Sequence, residues 1–179
     1  MAEAQSFGTA LKLGGVTKIL FTPYSGYTKG DVTYTLDEIV ADSTSISQED
    51  PTTNSIDCET RDEPIYENIA LGRITFTTSS GDIQSTLLEK VMGYKVDATN
   101  KVVAAPATYK EVWAEIEIVF GEKGSLVCPK VKVSGKIEAS ALKTGMVQGT
   151  INGTCYSVEM TDGPDKYLTP FYVKQPSAA

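Results

Sequence analysis

The run from Val112 to Val133 limits the fold more than any other stretch. Val112, Ala114, Ile116, Ile118 and Phe120 alternate with Trp113, Glu115, Glu117 and Val119. After Gly121-Glu122-Lys123-Gly124, the residues Val127, Pro129, Val131 and Val133 alternate with Cys128, Lys130 and Lys132. A period of two is that of strands with one buried face, so the run predicts an antiparallel hairpin. If facing residues have numbers that sum to about 245, both apolar sets share one face. Glu115 then meets Lys130 and Trp113 meets Lys132, whereas a slip of one residue sets charges against valines. Pro129 has no amide hydrogen to donate, so it predicts a sheet edge or a bulge. Gly121-Glu122-Lys123-Gly124-Ser125 superficially matches a phosphate loop, but it joins two strands instead of a strand and a helix, and a hairpin turn accounts for it.

The rest of the chain is read around that hairpin. Thr9 to Phe21 predicts a second hairpin across Gly14-Gly15, or a single strand with a glycine bulge. Residues 22–42 read as a mixed linker broken by Pro23, Gly26 and Gly30, with Leu36 to Val40 forming either one helical turn or a short strand. Ser43 to Glu59 reads as two polar strands at a sheet edge, with a turn at Pro51-Thr52-Thr53-Asn54. Asp62-Glu63-Pro64 reads as a break, followed by a long strand from Ile65 to Thr78. Asp82 to Met92 predicts a helix: Asp82 caps its start, Ile83, Leu87, Leu88 and Val91 form one apolar stripe, and Gly93 stops it. Tyr94 to Tyr109 reads as a loop. Ser134 to Ser140 continues the preceding strand or bends at Gly135. Thr144 to Val158 reads as a long strand in which Gly145, Gly149 and Gly153 mark bends or close backbone approach. The tail from Thr161 has no period, yet Tyr167, Phe171 and Tyr172 imply that it packs on something. The sum is a mainly β chain, an antiparallel β-sandwich or barrel with one flanking α-helix. It is expected as one domain over residues 1–160, including the 22–42 linker, followed by a C-terminal arm over 161–179.

Composition removes function classes. The 179 residues include no histidine. That excludes Ser-His and Cys-His nucleophile pairs, histidine-bearing zinc sites, and the unperturbed histidine pH switch. The net charge of -7 opposes binding to phosphate backbones and anionic membranes. Cys58, Cys128 and Cys155 are odd in number and widely spaced, with no CxxC, and read as buried hydrophobes. Met1 to Leu13 lacks a basic region followed by an apolar run, so no secretory signal is expected, and no apolar run approaches the roughly 20 residues of a membrane span. The Asn152-Gly153-Thr154 sequon is expected to be idle.

Two groups of residues invite a functional reading. Glu49, Asp50, Asp57, Glu59, Asp62, Glu63 and Glu67 lie close in sequence with Arg61 the only base among them. They fit a solvated acidic surface, a calcium site, a carboxylate pair for glycoside hydrolysis, or an acidic wall that repels phosphate so that DNA slides past. The segment contains no glycine and does not have the spacing of an EF-hand loop. Tyr24, Tyr27 and Tyr34 either stack a ligand or close a core or an interface. Glu115 and Glu117 are poor general acids, because the lysine expected beside Glu115 lowers its pKa.

The order of these features resembles the tail tube proteins of long-tailed bacteriophages, particularly those of phages and prophages of gut Bacteroides-type bacteria. The residues that carry the resemblance begin with Gly8-Thr9-Ala10-Leu11-Lys12-Leu13-Gly14-Gly15, then Ile56-Asp57-Cys58-Glu59 with Asp62-Glu63-Pro64-Ile65. They continue with Gly72-Arg73-Ile74-Thr75-Phe76-Thr77, Leu87-Leu88-Glu89-Lys90-Val91-Met92-Gly93, Pro106 before the Val112 strand, and the Lys130 to Lys136 strand. The resemblance spans about Gly8 to Met160. It implies a β-sandwich subunit with a flanking helix that forms homohexameric rings, stacked into a tube through which DNA passes during ejection without binding. It implies no catalysis, no cofactor and no metal. It implies contacts with a tape measure, a terminator and a sheath where the tail has one, no membrane contact, and a place in the virion tail after assembly in the bacterial host cytoplasm. On this reading Glu49, Asp50, Asp57, Glu59, Asp62 and Glu63 face the lumen. Tyr24, Tyr27, Tyr34, Pro51, Thr52, Thr53, Asn54, Tyr167, Phe171 and Tyr172 make ring-stacking contacts. The competing expectation is a monomeric β-sandwich binding module for carbohydrate or protein.

Overall fold

The computed structural model describes residues 15–58, 61–81, 89–97, 99, 102–105, 107–108, 111–139, 147–162 and 165–175, with backbone alone at 57–58, 61–65, 103, 138–139, 147 and 162. The strands are β1 (Lys18–Ser25), β2 (Thr28–Lys29), β3 (Tyr34–Leu36), β4 (Ser45–Gln48), β5 (Thr52–Cys58), β6 (Arg61–Ala70), β7 (Ile74–Ser80) and β8 (Lys95–Asp97). They continue with β9 (Val102–Ala104), β10 (Val112–Val119), β11 (Ser125–Ala139), β12 (Val147–Cys155), β13 (Val158–Asp162), β14 (Asp165–Thr169) and β15 (Tyr172–Lys174). Nine of these form one antiparallel sheet in the order β2-β1-β10-β11-β12-β7-β4, with β3 also on β1 and β15 also on β11. The other six form three separate two-stranded ribbons, β5–β6, β8–β9 and β13–β14.

The β10–β11 hairpin forms as its alternation predicts, closed by a turn of 3-10 helix at Gly121–Lys123. Val112 faces Val133, Trp113 faces Lys132 and Ala114 faces Val131, which is the expected register. Beyond Ala114 the register shifts, so that Ile116 faces Cys128. The extra residue on β11 falls at Pro129 and Lys130, where the missing proline amide weakens the ladder. The bulge changes which face the following side chains occupy. Cys128 joins the buried core cluster, and Val127 is buried outside it. The expected Glu115–Lys130 pair does not form; Glu115 is held by Lys29 instead, Nζ to Oε1 2.7 Å.

The sheet is strongly curled. Phe21 in β1 and Phe76 in β7 are four strand spacings apart along the sheet, roughly 19 Å if it were flat. Their rings meet edge to face with centroids 6.5 Å apart. The two flanks therefore face each other across a core that includes Ile19, Phe21, Leu36, Phe76, Ile116, Ile118, Val131, Val133 and Ile151. One stretch of chain straps the flanks together. Leu36 pairs with Ile19 of β1, while Ile39 bridges to Ser80 of β7 and the Val40 amide donates to the Ser79 carbonyl at 2.9 Å. The link is a single bridge, and the sheet does not close into a barrel. The buried hydroxyls are hydrogen-bonded: Thr22 with Thr33 and Thr44 with Thr78, each 2.9 Å between oxygens, while Ser80 donates to the Glu38 carbonyl at 2.8 Å and Ser125 to the Glu117 carboxylate.

Several expectations are corrected. Residues 22–42 are not a linker: they complete β1, form β2 and β3, and supply the strap, with Gly26 turning at φ 63°. Pro23 is tolerated because β1 lies near the sheet edge and its carbonyl accepts from Gly30 at 2.9 Å. Pro51 to Asn54 is not a turn, because β4 pairs with β7 while β5 pairs with β6, and Thr52, Thr53 and Asn54 lie within β5. Asp62-Glu63-Pro64 is not a break; β6 runs through it. The 94–109 loop contains the β8–β9 ribbon, and the strand expected over 144–158 is β12 followed by a new strand, β13. The irregular tail is partly strand: β14 and β15 lie in it, and β15 pairs with β11. The close approach expected at glycines of β12 is present at Gly153, where an added Cβ would collide with Val131.

The expected hairpin at Gly14-Gly15 and most of the expected helix lie outside the described residues. Of that helix Glu89 and Lys90 are helical, Val91 and Met92 are buried in the core cluster, and Gly93 turns the chain at φ 74°. Among the described residues no helix is long and apolar enough to cross a membrane.

Candidate functional site

The three ribbons are the least self-sufficient parts of the molecule. β5–β6 continues the β4–β7 pair outward, beginning where the Glu49 amide donates to the Arg73 carbonyl at 2.9 Å. Glycine is required at position 72 of this exit, because a Cβ there would collide with the Glu49 carbonyl. Beyond it the ribbon exposes Ile56 (60%), Tyr66 (54%) and Ile69 (63%), with Leu71 (79%) at its base. Cross-strand pairing sets Ile56 beside Tyr66 on one face and Thr53 beside Ile69 on the other. An isolated two-stranded hairpin is marginal in water, and this one carries apolar side chains on both faces with no core to cover them. β13–β14 repeats the situation with exposed Tyr167 and Leu168, and β8–β9 with exposed Val102.

The acidic residues gather on the longest ribbon. Glu49 and Asp50 are exposed at its base, Asp57 lies in β5, Asp62 and Glu63 in β6, and Glu67 is exposed opposite Ser55. Glu59 lies outside the described residues. Between Glu49 and Leu71 there are seven carboxylates and one arginine, which is -6 of the chain's net -7. The sheet and its remaining appendages together carry only -1. Among the described residues no group of three or more His, Cys, Asp or Glu is placed to hold a metal ion.

The stacking candidates separate into distinct surroundings. Pro51, Thr52, Thr53 and Asn54 are exposed on the ribbon, Tyr27 is fully exposed at the β1–β2 turn, and Tyr167 is exposed on β14. Tyr34 and Phe171 instead pack against the core. Tyr24 donates its hydroxyl to the Pro129 carbonyl at 2.8 Å, inside the β11 bulge. Burial pushes the Tyr24 and Tyr172 hydroxyls above the usual tyrosine pKa, and the Glu115 carboxylate acts on both in the same direction.

Pattern reading missed a charged network around β10, because its partners come from short distant strands. Lys29 of β2 pairs with Glu115, and that hydrogen bond raises the lysine pKa. Burial alone would raise the Glu117 carboxyl, but hydrogen bonds from Ser125 and from Lys174 of β15 (3.1 Å) outweigh it and hold the group below the usual range. Lys132 pairs with Glu111. Lys130, released from Glu115 by the bulge, sits 5.2 Å from the Trp113 ring centroid, and the Tyr156 ring lies 5.0 Å from Trp113 on the same network.

A second surface has a different chemistry. The non-core face of β4, β7, β12 and the adjoining part of β11 carries Ser45, Ser47, Thr75, Thr77, Ser79, Thr150, Asn152, Thr154 and Ser134, with Lys132 and Lys136 at one side. Their hydroxyls and amides bond to one another: Thr77 donates to Asn152 at 3.2 Å, and Ser79 and Thr150 share a bond at 3.2 Å. A cavity of about 390 Å³ opens on this face, lined by Thr75, Thr77, Lys132, Ser134, Asn152 and Thr154 among others. The sequences of β4, β7, β12 and of Lys132 to Lys136 contain no carboxylate. Such a face offers dipoles that can exchange bonds with water or a polar ligand, with the two lysines at its side.

No family model and no curated protein matches the chain.

Proposed function

We propose that the chain is a structural subunit of a phage tail tube, which assembles into stacked hexameric rings that conduct DNA during ejection. One observation carries the reading: an acidic ribbon with apolar side chains on both faces, projecting from a sheet whose own core is complete. Such a ribbon is soluble alone but gains stability when neighbouring copies cover it. Among the described residues the sheet ends in short edges, β4 on one side and β2 and β3 on the other, which closing into a ring would pair. In this reading the hydroxyl face of β4, β7, β12 and β11 lines the lumen, in place of the carboxylates expected there, since Glu49, Asp50, Asp57, Asp62 and Glu63 belong to the projecting ribbon. The segment ending at Met92 completes the subunit as its single flanking helix. The tape measure, the terminator and, where the tail has one, a sheath are the partners of this role at the tube's ends and surfaces, and the virion tail is its location.

Replacing residues 52–70 by an Asn-Gly turn tests the reading. The shortened chain should unfold with the wild-type midpoint at low concentration yet stay monomeric in sedimentation when concentrated. Assembly identical to wild type would remove the ribbon, and with it this argument.

A second reading has its own observation. Trp113, whose ring meets Tyr156, is the cross-strand partner of Lys132, which lines the polar cavity with Asn152 and Thr154, a combination that suits a sugar ring in a monomeric binding module. A glycan-array signal from a protein that sediments only as monomer would favour it.

A further inference from the structure

The body of the subunit carries a groove whose chemistry is the counterpart of the ribbon's. It has a volume of about 860 Å³ and runs beside Tyr24, Tyr94, Val112 and Trp113, with Lys90, Lys95, Glu89 and Glu111 on its wall. A smaller recess of about 120 Å³ adjoins it across Tyr24 and Trp113 and is lined by Tyr27 and Lys130. The walls are thus aromatic, and both wall carboxylates are held in ion pairs, Glu89 by Lys90 and Glu111 by Lys132. Lys90 is paired with Glu89, but Lys95 and Lys130 take part in no ion pair among the described residues. Lys130 is free for this role because the β11 bulge removes it from Glu115 and sets it over Trp113.

We infer that this groove receives the acidic β5–β6 ribbon of a second copy of the chain. The inference rests on the self-assembly proposed above and adds the site that the ribbon enters. Charge complementarity selects the occupant: the ribbon segment carries -6, while Glu89 and Glu111 on the groove wall are neutralised by Lys90 and Lys132, which leaves Lys95 and Lys130 as lysines there with no ion pair among the described residues. Side-chain chemistry agrees. The exposed Ile56–Tyr66 face of the ribbon matches a cleft walled by tyrosine and tryptophan, and the flanking carboxylates fall at its lysine rim. Docking also relieves a like-charge problem, since several such ribbons brought together in a ring and left without cations would repel one another.

The test is a charge exchange read by sedimentation of concentrated protein. Lys95→Glu/Lys130→Glu reverses the unpaired charges of the groove, and Asp50→Lys/Glu67→Lys reverses two charges of the ribbon and cuts its net charge from -6 to -2. Each reversed chain should need about tenfold more protein to assemble, or fail to assemble, because like charges now meet. The chain carrying both reversals should assemble at close to the wild-type concentration, which also shows that the substitutions leave the fold intact. Wild type that assembles alongside a groove-reversed chain that assembles equally well overturns this docking site and leaves the subunit reading standing. So does failure of the combined chain to recover. Wild type that never assembles removes both.

Discussion

The contact between Phe21 and Phe76 decides whether the sheet is curled, and a double-mutant cycle measures it. Each phenylalanine is fully buried, and each comes from an opposite flank of the sheet. Phe21→Leu or Phe76→Leu alone removes part of a ring from a packed core and should cost about 1–2 kcal/mol. The rings meet at 6.5 Å and 68°, an edge-to-face geometry. Such pairs contribute about 0.5–1.5 kcal/mol beyond the area they bury. The double variant should therefore lose less than the sum of the single losses by about that amount, since the contact can be lost only once. Urea unfolding followed by fluorescence of Trp113, the only tryptophan, supplies the free energies at concentrations low enough to keep the chain monomeric. Additivity within about 0.3 kcal/mol would mean that the rings do not touch, and the face-to-face arrangement of the flanks would be wrong.

Three further outcomes follow from local structure. Gly153→Val should destabilise by about 1–3 kcal/mol despite valine's β-propensity, because the new Cβ meets Val131 within a packed core; thermal melting checks it. Glu117 has a lowered folded-state pKa, so its stabilising contribution is complete above the unfolded value near pH 4.3 and fades as pH falls through the folded value. Glu117→Gln should accordingly flatten the acid side of a stability-versus-pH curve, and an unchanged slope would contradict the assignment. Lys29→Ala should cost no more than about 1 kcal/mol, as befits a half-exposed ion pair, and a loss of several would mean that Glu115 is left buried without compensation.

What could be read from the residues followed from how many neighbours a pattern needs. β10 and β11 were legible because each strand has one buried face and the turn joins them directly, so the period of two and the register came from local sequence. Pro129 predicted a sheet edge or a bulge, and the bulge is what forms, but its effect on Glu115 and Lys130 was not legible, because the new partner Lys29 is held by a turn 86 residues away. Residues 22–42 looked irregular because they cross from one flank of the sheet to the other, contributing two or three residues at a time to different neighbours. β15 was invisible for the same reason: three residues without a period pair only because β11 extends past β12. The acidic cluster was legible as composition. Its placement on a ribbon outside the main sheet was not, since that depends on β4 pairing with β7 and not with β5.

The central claim is that this chain builds a tube from copies of itself. Negative-stain microscopy of the purified wild-type protein across a range of concentrations tests it most directly. The account predicts six-fold rings that stack into hollow tubes as the concentration rises. A uniform monomer at every concentration and salt level, with no rings and no tubes, would contradict it.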